Sequence, residues 1–200
     1  VNGLQQIDAM SEPVKQAALA DRLVITKTDL AQDPAIAALE ERLRELNRQA
    51  PIRRALNGEI ELAFLIDVGL TNTKGRLDEV ERWMGDASHG EHGHRHDDRV
   101  KSFSLRYEEP FSWAAFSQCL EVLTALRGPD LLRVKGLVNV AGHQGPLVVQ
   151  GVQHLFHPPV ELEAWPSEDR STRIVFITRG IERAMVANLF AAIGAIVPSA

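Results

Sequence analysis

Two hundred residues, 44% hydrophobic and 24% charged, are ordinary globular material for one large domain or two small ones. The net charge of -5 gives no reason to expect nucleic acid, and no apolar run approaches the roughly 20 residues that a membrane span requires. A cysteine count of one excludes an internal disulfide and a cysteine zinc cluster, and suits a reducing, cytoplasmic compartment.

Val1-Asn2-Gly3 carries neither an initiator Met nor a signal peptide, so the expectation is a chain that begins within a longer protein. Glu12 to Ala20 predicts a helix with Pro13 in its first turn. The apolar run Leu23-Val24-Ile25 then breaks off into Thr26-Lys27-Thr28-Asp29, as a buried parallel strand does when its carboxyl end carries a ligand site. Asp33 as N-cap and Pro34 at the first helical position open a helix over 34–48, with Ile36, Leu39, Leu43 and Leu46 as its apolar stripe. Pro51 to Leu56 is the next strand, and the helix between the two makes a βαβ unit with a parallel sheet. A short helix follows over 59–66.

Gly69, Asn72, Gly75, Gly85, Gly90 and Gly93 break the pattern over 69–98, which reads as a linker with a histidine-rich centre. From residue 99 a second pattern begins. Val100 to Tyr107 is a strand. Ser112 caps a helix whose buried stripe is Trp113, Phe116, Leu120 and Leu123. Leu132, Val134, Val138 and Val140 alternate with Arg133, Lys135 and Asn139, the pattern of a half-buried strand. Strands over 147–152, 161–165 and 173–178 follow. A closing helix carries Ile181, Met185, Leu189 and Ile193. The expected architecture is α/β over residues 1–68, then a small α+β domain over 99–200 with an antiparallel sheet and helices on one face.

Two groups of residues could carry chemistry. In Thr26-Lys27-Thr28-Asp29, the Asp29 carboxylate can accept two hydrogen bonds from guanine N1–H and its exocyclic amine, a donor pair that adenine lacks on that edge. The aliphatic stem of Lys27 can lie across the base while its head stays wet. Without a ligand, the same four residues make a polar strand-to-helix loop. His89, His92, His94 and His96 fall within eight positions among glycines, with Glu91, Asp97 and Asp98 nearby. Neutral imidazoles bind Zn, Co, Ni and Cu, and a glycine-rich loop can wrap an ion; the plainer alternative is a solvated linker. Arg133 and Lys135 share one strand face, which reads first as solvated and second as a contact to the nucleotide part or an acidic partner. Cys119, beside the Phe116–Leu120–Leu123 stripe, reads as a small buried hydrophobe.

The segment Ala20 to Leu30 resembles the guanine-specificity segment of CobW-type P-loop GTPases. Leu46-Asn47-Arg48-Gln49-Ala50-Pro51-Ile52 is similar to that family's next nucleotide-side loop. The second half resembles the CobW C-terminal domain through Leu131-Leu132-Arg133-Val134-Lys135-Gly136, Gln150-Gly151-Val152-Gln153-His154 and Arg173-Ile174-Val175-Phe176-Ile177. The resemblance implies a GTP-hydrolysing metallochaperone or metal-insertion protein for zinc or cobalt, with residues 1–68 the trailing half of a P-loop GTPase domain. It implies GTP or GDP as ligand, held at the guanine by Thr26, Lys27 and Asp29, with Asn47 and Ala50 near the base or ribose. It also implies a divalent transition metal, for which His89, His92, His94 and His96 are the ligands the residue pattern offers, and a client metalloenzyme or chelatase, such as nitrile hydratase or a cobalamin-pathway chelatase. The family's Gly-x-x-x-x-Gly-Lys-Thr phosphate loop, its Cys-x-Cys-Cys motif and its Mg-site acids are absent from these 200 residues. Without that loop nothing cradles the phosphates or places Mg²⁺, so these residues alone are not expected to turn over GTP. The competing expectation is a non-enzymatic metal-buffering or client-docking module.

Overall fold

The computed structural model describes residues 2–66 and 100–193. The linker expected over 69–98, with His89, His92, His94 and His96, lies outside the described residues.

The N-terminal part runs α1 (Gly3–Ala9), α2 (Ser11–Leu19), β1 (Leu23–Thr26), a 3-10 turn (Thr28–Leu30), α3 (Asp33–Leu46), β2 (Ile52–Ala55) and α4 (Leu62–Ile66). β1 and β2 pair in parallel, from Leu23 opposite Ile52 to Thr26 opposite Ala55, with α3 as the crossover. The α3 stripe buries Ile36, Leu43 and Leu46; Leu43 and Leu46 join Ile7, Val14, Ala17 and Ile25 in one apolar cluster. The N-cap is Gln32 rather than Asp33. Its carbonyl accepts from the Ala35 and Ile36 amides, at 3.0 and 3.2 Å. Asp33 and Pro34 move one place into the first turn, where a carboxylate suits the positive end of the helix dipole and a missing N–H is harmless.

The C-terminal part runs β3 (Val100–Tyr107), α5 (Trp113–Arg127), β4 (Leu131–Val138), β5 (Leu147–Val152), β6 (Leu155–Phe156), β7 (Val160–Glu161), β8 (Thr172–Arg179) and α6 (Arg183–Ala192). The antiparallel sheet has the order β3-β8-β4-β5-β6, with β7 also on β5. One sheet face, carrying Phe103, Leu105, Val134, Val138, Val149, Ile174 and Phe176, shares a core with Phe116, Cys119, Leu120 and Leu123 of α5 and Val186 and Phe190 of α6. Phe116 and Phe190 stack at 5.6 Å, and Phe111 sets its edge against both, at 5.3 and 5.7 Å. The α/β plus α+β architecture is therefore present, with the helices α5 and α6 on one face of the antiparallel sheet.

Three expectations need correction. β4 is buried on both faces rather than half-buried: beyond the α5–α6 core, Leu132 and Ile177 pack against Ala18 of α2. The strand expected over 161–165 is only Val160–Glu161. Pro158, Pro159 and Pro166 flank it and lack the donors a longer ladder needs. In the closing helix the buried residues are Val186 and Phe190, while Met185 is 47% exposed. Gly180, at φ +67°, turns the chain before the Glu182 N-cap, and Ile181 is buried ahead of the helix with its carbonyl accepting from Thr178 Oγ1 at 2.8 Å.

Candidate functional site

The carboxyl end of β1 is a polar rim. Lys27 adopts the left-handed conformation (φ 57°, ψ 38°), which few residues other than glycine enter without strain. This bend starts the 3-10 turn, where the Leu30 amide donates to Lys27 O at 3.1 Å and the Ala31 amide to Thr28 O at 3.4 Å. Thr26, Lys27 and Asp29 are all exposed. Asp29 thus presents its carboxylate to solvent at the end of a parallel strand, where ligands of open α/β sheets sit. These 200 residues hold no Gly-x-x-x-x-Gly-Lys-Thr.

Asn47 and Ala50 are not brought to this rim. The loop that holds them precedes β2, and in a parallel pair that is the end where β1 begins: the Leu23 amide donates to Pro51 O at 3.0 Å. Asn47 is fully buried. Its Nδ2 donates to Ala17 O (3.0 Å), Ala18 O (3.3 Å) and Ala20 O (2.8 Å), and its Oδ1 accepts from the Ala50 amide (3.2 Å). What does follow β2 at the Lys27 end is the turn Leu56-Asn57-Gly58-Glu59. Asn57 and Gly58 have φ of 50° and 83°, and the Glu59 amide closes on Leu56 O at 2.8 Å. Two consecutive positive φ values are the signature of a tight primed turn, and the Asn-Gly dipeptide was its signal in the sequence.

A second charged feature, read from the sequence as a solvated face, is buried. Arg133 on β4 is 4% exposed. It donates to Leu19 O and pairs with Asp21, which also accepts from Lys135 Nζ at 2.9 Å. Burial pushes the Asp21 carboxyl up, and the Lys135 and Arg133 charges more than offset it, holding it below its ordinary range. Gln150, Val152 and His157 line a small cleft beside the trio, about 40 Å³, too small for a nucleoside. The Arg22 and Arg53 guanidiniums each stand over the ring of Phe64 on α4, 5.2 and 5.5 Å from its centre. Arg22 also donates to Ala63 O at 3.0 Å and to Phe64 O, which ties α4 to the root of β1.

Among the described residues no group of three or more His, Cys, Asp or Glu is placed to hold a metal ion. His143 Nδ1 and Glu161 lie 2.9 Å apart, a pair that staples the 143–145 turn to β7. Cys119 is buried and burial pushes its thiol up to about 11, so it is an inert core residue. Among the described residues no helix is long and apolar enough to cross a membrane.

Residues 100–194 match the family described as cobalamin synthesis protein cobW C-terminal domain. Over 184 residues the chain is 26% identical to the zinc chaperone YjiA of Escherichia coli (strain K12), covering 88% of this chain and 53% of the relative. It is 30% identical over 177 residues to the zinc chaperone CobW of Pseudomonas aeruginosa, covering 86% of this chain and 44% of the relative. Among solved structures, the Zn(II)-bound YjiA GTPase from E. coli superimposes with a TM-score of 0.71 at 25% identity, over 96% of this chain and 57% of that one. A triple mutant of the same GTPase gives 0.72 at 24% identity, covering 96% and 58%. The chain spans about half the length of the curated relatives it matches.

Proposed function

We propose that this chain, whose residues 100–194 match the cobW C-terminal domain family, is the base-selecting and C-terminal part of a GTP-dependent zinc chaperone. The observation that carries the reading is the exposed Asp29 carboxylate behind a left-handed Lys27 at the end of a parallel strand, in a chain similar to a zinc chaperone over 88% of its length. Thr26 ends the strand, Lys27 lays its stem on the base, and Asp29 accepts the two guanine donors. The charge-assisted pair gives selectivity and no chemistry of its own. Asn47 and Ala50 serve the nucleotide indirectly, by fixing the loop at the root of the strand. Mg²⁺ and phosphate binding require a phosphate loop, which these 200 residues do not contain.

His89, His92, His94 and His96 are proposed to take up zinc, or cobalt, as cargo for a client metalloenzyme or chelatase. A cytoplasmic setting suits the single buried thiol. Asp29→Asn, placed in a protein that carries the phosphate loop, is expected to lose most of its preference for GTP over ATP; intact preference removes Asp29 from the site. A second reading is a metal-buffering or client-docking module in which the α/β half only supports the C-terminal sheet, and the Arg133–Asp21 pair between the two favours it. GDP titrations with and without Zn²⁺ separate the two, because coupled sites must alter each other's affinity equally.

A further inference from the structure

The carboxyl end of α2 carries carbonyls that the helix itself leaves without partners. Asn47 Nδ2 donates to three carbonyls here: Ala17, which also accepts from the Ala20 amide at 3.4 Å, Ala18, and the C-cap Ala20. The one it skips, Leu19, accepts from Arg133, and the same guanidinium pairs with Asp21 two residues on. One short stretch, Ala17 to Asp21, is therefore gripped by a buried amide from the loop before β2 and by a buried cation from the C-terminal sheet. It leads straight into β1, whose first amide, Leu23, donates to Pro51 O on that same loop.

We infer that Arg133 is a positioning residue for β1 and for the Leu46–Ala50 loop: it clamps the carbonyl end of α2 that Asn47 also holds. A guanidinium suits this place. It sits at the negative end of a helix dipole, and its planar fork serves a carbonyl and a carboxylate at once. The apolar contact at this point is Ala18, Leu132 and Ile177, with Leu19 and Val100 beside them, and Val100 also packs on the Ile7–Leu46 cluster; the polar clamp adds direction to that contact. β1 is four residues long, about 13 Å, and Lys27 and Asp29 stand at its other end. The six-stranded sheet and the polar rim are thereby mechanically joined. That the join senses nucleotide rests on the base-selecting reading above.

Hydrogen exchange tests both statements, on the 200-residue chain for the clamp and on a protein that also carries the phosphate loop for the GDP coupling. In Arg133→Met the Leu23 and Ala50 amides are expected to exchange about tenfold faster than in the wild type, while β8 keeps its protection. A role confined to β4 would leave those two amides unmoved, and that result overturns the clamp. Arg133→Lys keeps the charge but replaces the planar fork with a single nitrogen on a shorter reach. It is expected to fall between, and it decides the matter in the same way if the Met variant does not fold. With millimolar GDP, the wild type is expected to gain protection at 26–30 and at 131–135, and Arg133→Met at 26–30 only. Protection at 26–30 in the wild type with none at 131–135 overturns the coupling and leaves the base reading intact. No protection at 26–30 removes the base reading, and Leu23 and Ala50 still decide the clamp.

Discussion

Arg133 and Asp21 stand 112 positions apart and meet as an ion pair across the seam between the two-stranded and the six-stranded sheet. The pair explains why a strand with an alternating pattern is buried on both faces. The helices α5 and α6 cover one side, and the end of α2 covers part of the other. Because Arg133 is almost wholly buried and Asp21 is about half exposed, the two partners are not equivalent.

Asp21→Ala leaves a buried guanidinium with only a carbonyl to neutralise it. The expected cost is about 2–3 kcal/mol, under the range for fully buried pairs because water screens the exposed side of Asp21. Arg133→Met fills the same space with apolar atoms and leaves Asp21 paired with Lys135 at 2.9 Å, so it is expected to cost less. Urea denaturation of both single variants and the double variant gives the coupling between them. A coupling near zero would mean that the two side chains do not interact in solution.

The same carboxylate predicts an acid sensitivity. Its folded pKa is depressed below the ordinary 3.8, with Lys135 and Arg133 facing it and His157 on the cleft wall. A depressed pKa contributes stability that is fully present above the unfolded value and is lost as pH falls through the folded one. The melting-temperature gap between wild type and Asp21→Asn is therefore expected to be constant above about pH 5 and to close below about pH 4. A gap that widens on acidification would reverse the assignment.

Lys27 stands in a backbone conformation that a side chain makes costly. Lys27→Gly relieves that strain while loosening the unfolded chain, so a net gain of about 0.5–1 kcal/mol is expected. If the stem of Lys27 covers a guanine, the same change lowers GDP affinity. Thermal melts with and without GDP read both effects on one sample. A variant that is destabilised would show that the left-handed turn is not the strained element.

The parallel strand, its crossover helix and the β3 strand were legible in the sequence because each rests on local pattern: the apolar triplet Leu23-Val24-Ile25, the stripe from Ile36 to Leu46, and the run Val100 to Tyr107. The seam was legible only as the second alternative for Arg133 and Lys135, a contact to the nucleotide part. Arg133 and Lys135 alternate with apolar neighbours, and a period of two says only that they share a face. What covers that face is decided by Asp21 and Leu19, more than a hundred residues away. The placement of Asn47 was legible but missed. A loop that precedes a parallel strand lies at the strand's amino end, opposite the rim where Lys27 and Asp29 sit, whatever its likeness to a nucleotide loop.

Gly145 is required by close approach rather than by torsion. A Cβ there would stand 1.7 Å from Leu162 O, a backbone atom held in place by the Leu162 amide on Pro146 O. Gly145→Ala is expected to push β7 off β5 and to cost about 3 kcal/mol, at the upper end for overpacking. Exchange should quicken at Leu162 and not at β4, which lies on the other side of β5. Wild-type stability would show that the 143–146 turn can move aside freely.

The four histidines at 89, 92, 94 and 96 give the last prediction. Among the described residues no cluster offers three ligating side chains, and the run from His89 to His96 holds four of the seven histidines in the sequence, which makes it the first place to look for zinc. A loop of imidazoles spaced by glycines binds with modest affinity and low selectivity, because ordering the chain opposes the coordination energy. Calorimetry with Zn²⁺ is expected to show uptake that falls away below about pH 6, as the imidazoles protonate. Changing all four histidines to Ala is expected to abolish it while leaving the melting temperature without metal unchanged. Zinc binding of unaltered stoichiometry in that variant would remove the histidine segment from the metal-handling role.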